Sequence, residues 1–146
     1  MVDTLLVEGK VLKGGEVSFA ESCLWPDGAK YGTHKGTYEQ HFINVPDGAL
    51  AVDLRRDCAA LNCLATGIQT ALTYLSQPAG SGREKTRQAA ALRFLGHFLG
   101  DLHQPLHIGN ASDWGGNKII VQWRGKATNL HALWDYGVLE AIGIKY

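Results

Sequence analysis

The sequence predicts a helical protein, on three observations. Apolar residues recur at helical spacing from about Ala49 to Ser76, at Leu50, Leu54, Leu61, Leu64, Ile68, Ala71, Leu72 and Leu75. A stronger run follows from Arg83 to His103, with Ala90, Leu92, Phe94, Leu95, Phe98, Leu99 and Leu102 as its core face. Two His-x-x-x-Asp pairs, His97/Asp101 and His131/Asp135, sit inside apolar periodic segments. A residue and its fourth successor share a helix face, so each pair directs an imidazole and a carboxylate towards one point.

Taken in order, Met1–Val17 is weakly patterned, with Gly9, Gly14 and Gly15, and is expected to be helical in part. Glu16–Trp25 has a helical period. Pro26-Asp27-Gly28 then reads either as a turn or as a new helical turn started by Pro26, with Asp27 inside it. Tyr31–Gly36 is loop-like, with His34 expected in solvent. Tyr38–Val45 reads as extended and ends at the turn signal Pro46-Asp47-Gly48. Gln77–Gly82 separates the two long helical runs. Gly96 and Gly100, inside the second run, each cost about 1 kcal/mol against alanine, and their spacing suggests a close approach of backbone or ligand. Pro105 ends this helix near Gln104. Ile108–Gly115 reads as a loop, Asn117–Trp123 as a short strand or extended segment, and Arg124-Gly125-Lys126 as a turn. Thr128 or Asn129 is a natural N-cap for a last helix through about Ala141, ended by Gly143.

The 146 residues suit a single domain, 1–146, with a real core. Fourteen basic and fourteen acidic side chains cancel, which argues against a general polyanion-binding surface; phosphate must be met by a local site. No apolar run is long enough to span a bilayer. The start, Met1–Gly9, has neither the basic nor the apolar region of a signal peptide. Cys23, Cys58 and Cys63 make neither a disulfide framework nor a four-cysteine zinc site. Within one continuous helix Cys58 and Cys63 diverge, so they can pair only if the helix begins between them; otherwise all three are small buried residues.

The chemistry concentrates in His97, Asp101, His107, His131 and Asp135, with Asp27 and His41 upstream as further candidates. Each alone has a plain structural reading: His41 as a half-buried histidine, Asp27 as a turn residue, a His/Asp pair as a surface pair. The coincidence of two such pairs and His107 in one short region favours a metal site. Zinc takes neutral imidazole and carboxylate ligands, about four donors to a site, and burial of such groups beside apolar residues is costly unless they are paired or coordinated. His103 points away from the His97/Asp101 stripe and is left out as a ligand.

Phe94-Leu95-Gly96-His97-Phe98-Leu99-Gly100-Asp101-Leu102-His103-Gln104-Pro105-Leu106-His107, Gly115-Gly116-Asn117 and Thr128-Asn129-Leu130-His131-Ala132-Leu133-Trp134-Asp135 closely resemble the zinc-dependent single-strand nucleases of the P-one and S-one type, relatives of bacterial zinc phospholipase C. Trp25-Pro26-Asp27 and His41-Phe42-Ile43-Asn44-Val45-Pro46 resemble two further segments of that family, and Cys58 and Cys63 match a short disulfide loop in it. The resemblance covers most of residues 20 to 140.

It implies an all-α fold, a compact helical bundle of the phospholipase C/nuclease type with a short extended hairpin-like segment. It also implies zinc. One ion would be held by Asp27, His41, His97 and Asp101, and a second by His107, His131 and Asp135, with Asp101 bridging to a third. The family's third-site ligands, an N-terminal Trp and a nearby His, have no match here, so the chain looks like the central portion of such an enzyme and supports two zinc sites. Two zinc ions against the carboxylates of Asp27, Asp101 and Asp135 leave a positive balance that attracts phosphate. Asp27 and Asp101 would be the catalytic carboxylates. Lys30, Phe42, Asn44, Trp114 and Asn117 would bind substrate, with Phe42 and Trp114 either stacking an unpaired base or serving as ordinary core or rim aromatics.

The implied activity is hydrolysis of single-stranded DNA or RNA to 5′-mononucleotides, with 3′-nucleotidase activity alongside. A phospholipase C on the same scaffold and a non-catalytic zinc-binding helical domain are the other readings. Family members are secreted and disulfide-bonded.

Overall fold

In a computed structural model, residues 18–78 and 80–144 are described. The readings of Met1–Val17, including its first nine residues, lie outside them. The architecture is mostly helical, with two two-stranded sheets. The described residues fall into two units, one holding the residues up to His41 with Asn62–Gly100, the other Phe42–Leu61 with Asp101 onward. No helix among them is long and apolar enough to cross a membrane.

The first unit begins with α1, Phe19–Ser22. The Ser18 hydroxyl accepts from Glu21 N–H while Glu21 reaches back to Ser18 N–H, a capping box that satisfies the first free donors of the turn. α2, Trp25–Ala29, carries Pro26 in its first turn, so Pro26-Asp27 starts a helical turn and Asp27 sits inside it. His34 is half-buried rather than solvated: its ring packs edge-on against Trp25 at 5.0 Å and lies 5.4 Å from Phe94.

Lys35–His41 forms a 3-10 segment, which corrects the extended reading of Tyr38–His41. Asn62 explains it, since its amide donates to Gly36 O and its carbonyl accepts from Gln40 Nε2. Two helices complete the unit, α4 (Leu64–Leu75) and α5 (Gly82–His103), whose last three residues belong to the second unit. A Cβ on Gly67 would stand 2.9 Å from both Gln40 Cβ and Phe98 Cε2, so glycine alone allows α4 this close. Buried Gln88 donates to Gln77 O near the end of α4. Phe98, Leu64, His41 and Pro26 are fully buried.

In the second unit, β1 (Ile43–Val45) pairs in parallel with β2 (Ile108–Asn110), so Ile108–Asn110 is a strand rather than loop. α3 is the single turn Leu54–Asp57, begun by Asp53, whose carboxylate accepts from Arg55 N–H. The helical run expected over Ala49–Ser76 is therefore broken. Ala60 and Leu61 take left-handed φ of 50° and 54°, which no helix accommodates. Cys58 and Cys63 are joined by a disulfide, and the helix begins after both, at Leu64.

β3 (Ile120–Trp123) pairs antiparallel with β4 (Lys126–Asn129), Trp123 facing Lys126 across a turn in which Arg124 and Gly125 both have positive φ. Lys126–Asn129 is a strand, where the sequence reads as a turn ending at Lys126 and a helix N-cap at Thr128 or Asn129. The Asn129 side chain then caps the last helix by accepting from Ala132 N–H. That helix runs as α6 (Leu130–Ala132), a π turn (Leu133–Gly137) and α7 (Val138–Ala141), and ends before Gly143 at φ 86°.

Candidate metal centre

Asp27, His41 and His97 converge within the first unit. Asp27 is set by α2, His41 by the end of the 3-10 segment and His97 by the middle of α5. His97 Nε2 lies 3.0 Å from His41 Nδ1 and 3.5 Å from Asp27 Oδ1, and His41 Nδ1 lies 3.8 Å from the same oxygen. A zinc tetrahedron with bonds of about 2.0–2.1 Å has ligand-to-ligand edges of about 3.3 Å, so these donors already outline one of its faces.

His107, His131 and Asp135 converge in the second unit. His107 Nε2 lies 3.7 Å from Asp135 Oδ1, and His131 Nε2 lies 3.4 Å from Asp135 Oδ2. The two imidazoles stack at 4.9 Å with planes 17° apart. Asp135 falls inside the π turn, a helical irregularity found often at functional sites. The Asp101 carboxylate lies 3.3 Å from His107 Nδ1.

One pattern runs through three of the histidines. Each sets Nδ1 against an oxygen: His97 on Cys23 O at 2.8 Å, His131 on Gly115 O at 2.8 Å, His107 on Asp101 Oδ1 at 3.3 Å. An imidazole whose Nδ1–H is donated in this way presents a lone pair at Nε2, the usual arrangement of a metal-bound histidine. With donor spacing suited and three of the imidazoles held at Nδ1 by an oxygen, these imidazoles and carboxylates fit zinc.

In the metal-free chain Nε2 of these imidazoles can instead carry a proton, which zinc would displace. The hydrogen bond from His97 holds the Asp27 carboxyl well below the usual carboxylate range, against its partial burial, and Lys30 adds to the effect. Burial pushes the Asp135 carboxyl up, but hydrogen bonds from His107 and Gln104 and the nearby imidazole charges outweigh it, so the net displacement is downward. Both side chains are thus held as carboxylates.

The residues expected to meet substrate are spread more widely. Lys30 Nζ lies 2.7 Å from Asp27 Oδ1. Phe42 is half-buried directly after His41, and Asn44 lies in β1 opposite Gly109. Trp114 is exposed at a left-handed φ of 56°, with Lys118 Nζ 4.3 Å from its ring centroid, and Asn117 Nδ2 donates to Trp114 O.

Sequence reasoning missed the supporting groups. Buried Arg93, one helical turn before His97, donates from Nε to Ser22 O at 3.0 Å and lays its guanidinium 4.0 Å from the Trp25 ring centroid. Gln104 Nε2 donates to Asp135 Oδ1 at 2.7 Å. Asp113 Oδ1 accepts from Gly116 N–H and so holds the turn whose Gly115 carbonyl orients His131. For Arg93 the one available signal was spacing, since Arg93 and His97 are four apart on one helix face.

A family model described as S1/P1 nuclease matches residues 2–146. Endonuclease 2 of Arabidopsis thaliana is 37% identical over 135 residues, covering 88% of this chain and 46% of that protein. Nuclease S1 of Aspergillus oryzae is 38% identical over 127 residues, 83% of this chain and 42% of its own length. Nuclease P1 of Penicillium citrinum is 41% identical over 98 residues, 65% of this chain and 35% of its own length. The chain spans half the length of these curated relatives or less. With the metal-type geometry set out above and a family match running nearly from end to end, the chain belongs to the S1/P1 nuclease family.

Proposed function

We propose that the protein acts as a zinc-dependent phosphodiesterase that cleaves single-stranded DNA or RNA to 5′-mononucleotides and also removes the phosphate of 3′-nucleotides. The observation that carries this is the pair of histidine–carboxylate groups, with three of their four imidazoles oriented through Nδ1, in a chain whose relatives are named as nucleases and endonucleases. Asp27, His41, His97 and Asp101 would hold one zinc ion, and His107, His131 and Asp135 a second. Zinc supplies Lewis acidity that polarises a phosphoryl oxygen and makes water a nucleophile at neutral pH.

The chain's own groups do the rest. Asp27 and Asp101 keep negative charge at the centre and act as its catalytic carboxylates. Lys30 meets a phosphate. Phe42 and Trp114 offer aromatic faces to an unpaired base, which a paired base cannot reach, and Asn44 and Asn117 supply polar contacts. The Cys58–Cys63 disulfide supports a secreted protein, since such bonds persist in oxidising compartments.

The test is metal analysis of the full chain, followed by hydrolysis assays with added zinc on single-stranded and duplex DNA, single-stranded RNA and a 3′-nucleotide. Zinc-dependent turnover of single strands in preference to duplex is expected. Bound zinc without turnover overturns the enzymatic reading and leaves a zinc-binding helical domain. Turnover of phosphatidylcholine but not of nucleic acid overturns the substrate assignment in favour of a phospholipase.

A further inference from the structure

We propose that Gln104 is a positioning residue that decides which oxygen of Asp135 is offered to the second metal ion. The proposal rests on reading His107, His131 and Asp135 as ligands of that ion.

Gln104 follows the end of α5, where Pro105 forbids further helix. Its side chain is half-buried and engaged at both ends of the amide. Leu106 N–H donates to Oε1, and Nε2 donates to Asp135 Oδ1 at 2.7 Å. A backbone N–H can only donate, so Oε1 must be the acceptor. That fixes the amide the one way round that turns its NH2 on the carboxylate. Its own carbonyl accepts from His107 N–H at 3.1 Å. One residue is therefore tied to two of the three ligands, one through the backbone and one through the side chain.

The consequence lies in the carboxylate. Oδ1 of Asp135 receives the Gln104 donor and lies 3.7 Å from His107 Nε2, while Oδ2 faces His131 Nε2 at 3.4 Å. A carboxylate oxygen already holding a short hydrogen bond is the poorer donor to a cation. Gln104 thus biases Asp135 towards presenting Oδ2 alone. The same stretch is closely packed behind the ligands: a Cβ on Gly115 would stand 2.5 Å from Leu106 O, and Gly115 O carries His131 Nδ1. A displaced Gln104 would be felt along that route too.

The experiment loads the full chain with Co2+ in place of zinc and follows its visible absorption and affinity in wild type, Gln104→Met and Gln104→Glu. Gln104→Met removes both side-chain bonds. Gln104→Glu keeps an acceptor for Leu106 N–H but puts a second carboxyl against Asp135 Oδ1, so its spectrum is read above about pH 8, where no shared proton restores the donor. In Gln104→Met, affinity at the second site is expected to fall roughly tenfold to a hundredfold. In both variants the Co2+ bands should weaken, because a released Oδ1 adds a donor and five-coordinate cobalt absorbs less than four-coordinate cobalt. A purely structural role would lower thermal stability without moving the bands. Should Gln104→Met fail to fold, Gln104→Glu decides. A wild-type spectrum in Gln104→Glu overturns the proposal while leaving the metal centre intact. A wild-type chain that binds no Co2+ overturns the metal reading and the proposal together.

Discussion

His97 and His41 meet nitrogen to nitrogen, Nε2 to Nδ1, at 3.0 Å. Cys23 O receives His97 Nδ1, so Nε2 faces His41, with the Asp27 carboxylate beside them both. Such a cluster of donors is suited to a shared cation. His97→Ala and Asp27→Asn should each remove about one equivalent of bound zinc, because each takes away one of the few donors that a structural or catalytic zinc needs. Elemental analysis of the purified variants measures this, and a full zinc complement in both would rule the site out.

The pH dependence should separate the metal-free from the metal-loaded protein. Asp27 and Asp135 are both displaced downward in the folded chain, Asp27 chiefly by the His97 hydrogen bond. A depressed carboxylate stabilises the fold above its unfolded value, about 3.9, and that contribution is lost as pH falls through the lower folded value. Metal-free protein should therefore lose the contribution of these two carboxylates below about pH 4. Zinc should leave at higher pH than that, because protons compete with it for its imidazole ligands. Urea midpoints with and without zinc from pH 8 to 2 would show two separate acid limbs; coincident limbs would contradict the assignment.

Arg93 and His97, one turn apart on α5, hold the neighbouring carbonyls of Ser22 and Cys23. Burial pushes the Arg93 guanidinium down, yet it has Ser22 O and the Trp25 face as partners. Arg93→Met should cost about 1.5–3 kcal/mol, the worth of a hydrogen bond to a charged group. It should also weaken zinc at the Asp27 group, since Trp25 opens the helical turn that carries Asp27. Arg93→Lys should recover little, because an ammonium lacks the planar fork. Denaturant titration and zinc competition measure the two effects, and a variant with unchanged zinc affinity would confine Arg93 to stability.

Gly96 and Gly100 should respond in opposite senses to alanine. A Cβ at Gly96 would stand 2.5 Å from Cys23 Sγ and 3.1 Å from Phe19 Cζ, whereas among the described residues a Cβ at Gly100 meets nothing within 4 Å. Among the described residues the close approach expected of both glycines is found at Gly96. Gly96→Ala should destabilise by about 1–3 kcal/mol through overpacking, partly relieved by adding Cys23→Ala. Gly100→Ala should stabilise by up to about 1 kcal/mol through helix propensity. Thermal melts of the single and double variants test the pair, and destabilisation by Gly100→Ala would refute the contrast.

The long helix ending at His103, a cap at Thr128 or Asn129 and the stop at Gly143 were legible, and the helical turn at Pro26 was one of two readings, because each depends on residues within a few positions of one another. The helical run across Ala49–Ser76 was not, because left-handed Ala60 and Leu61 interrupt a pattern that apolar spacing alone makes continuous. Tyr38–His41 misled in the opposite direction, its 3-10 form being held by Asn62 from the far side of an intervening segment.

What the chain determined by itself was the chemistry on offer: imidazoles and carboxylates at helical spacing, on elements whose starts and stops are written locally. What only tertiary structure decided was how those groups are aimed. His97 is turned by a carbonyl 74 residues away, Asp135 by an amide 31 residues away, and β2 becomes a strand only because β1 lies beside it. The reason is physical. A backbone carbonyl or a strand edge has the same covalent form at every position, so its role as a distant partner leaves no mark in residue type, and a side-chain amide such as that of Gln104 does not show in sequence which distant group it reaches.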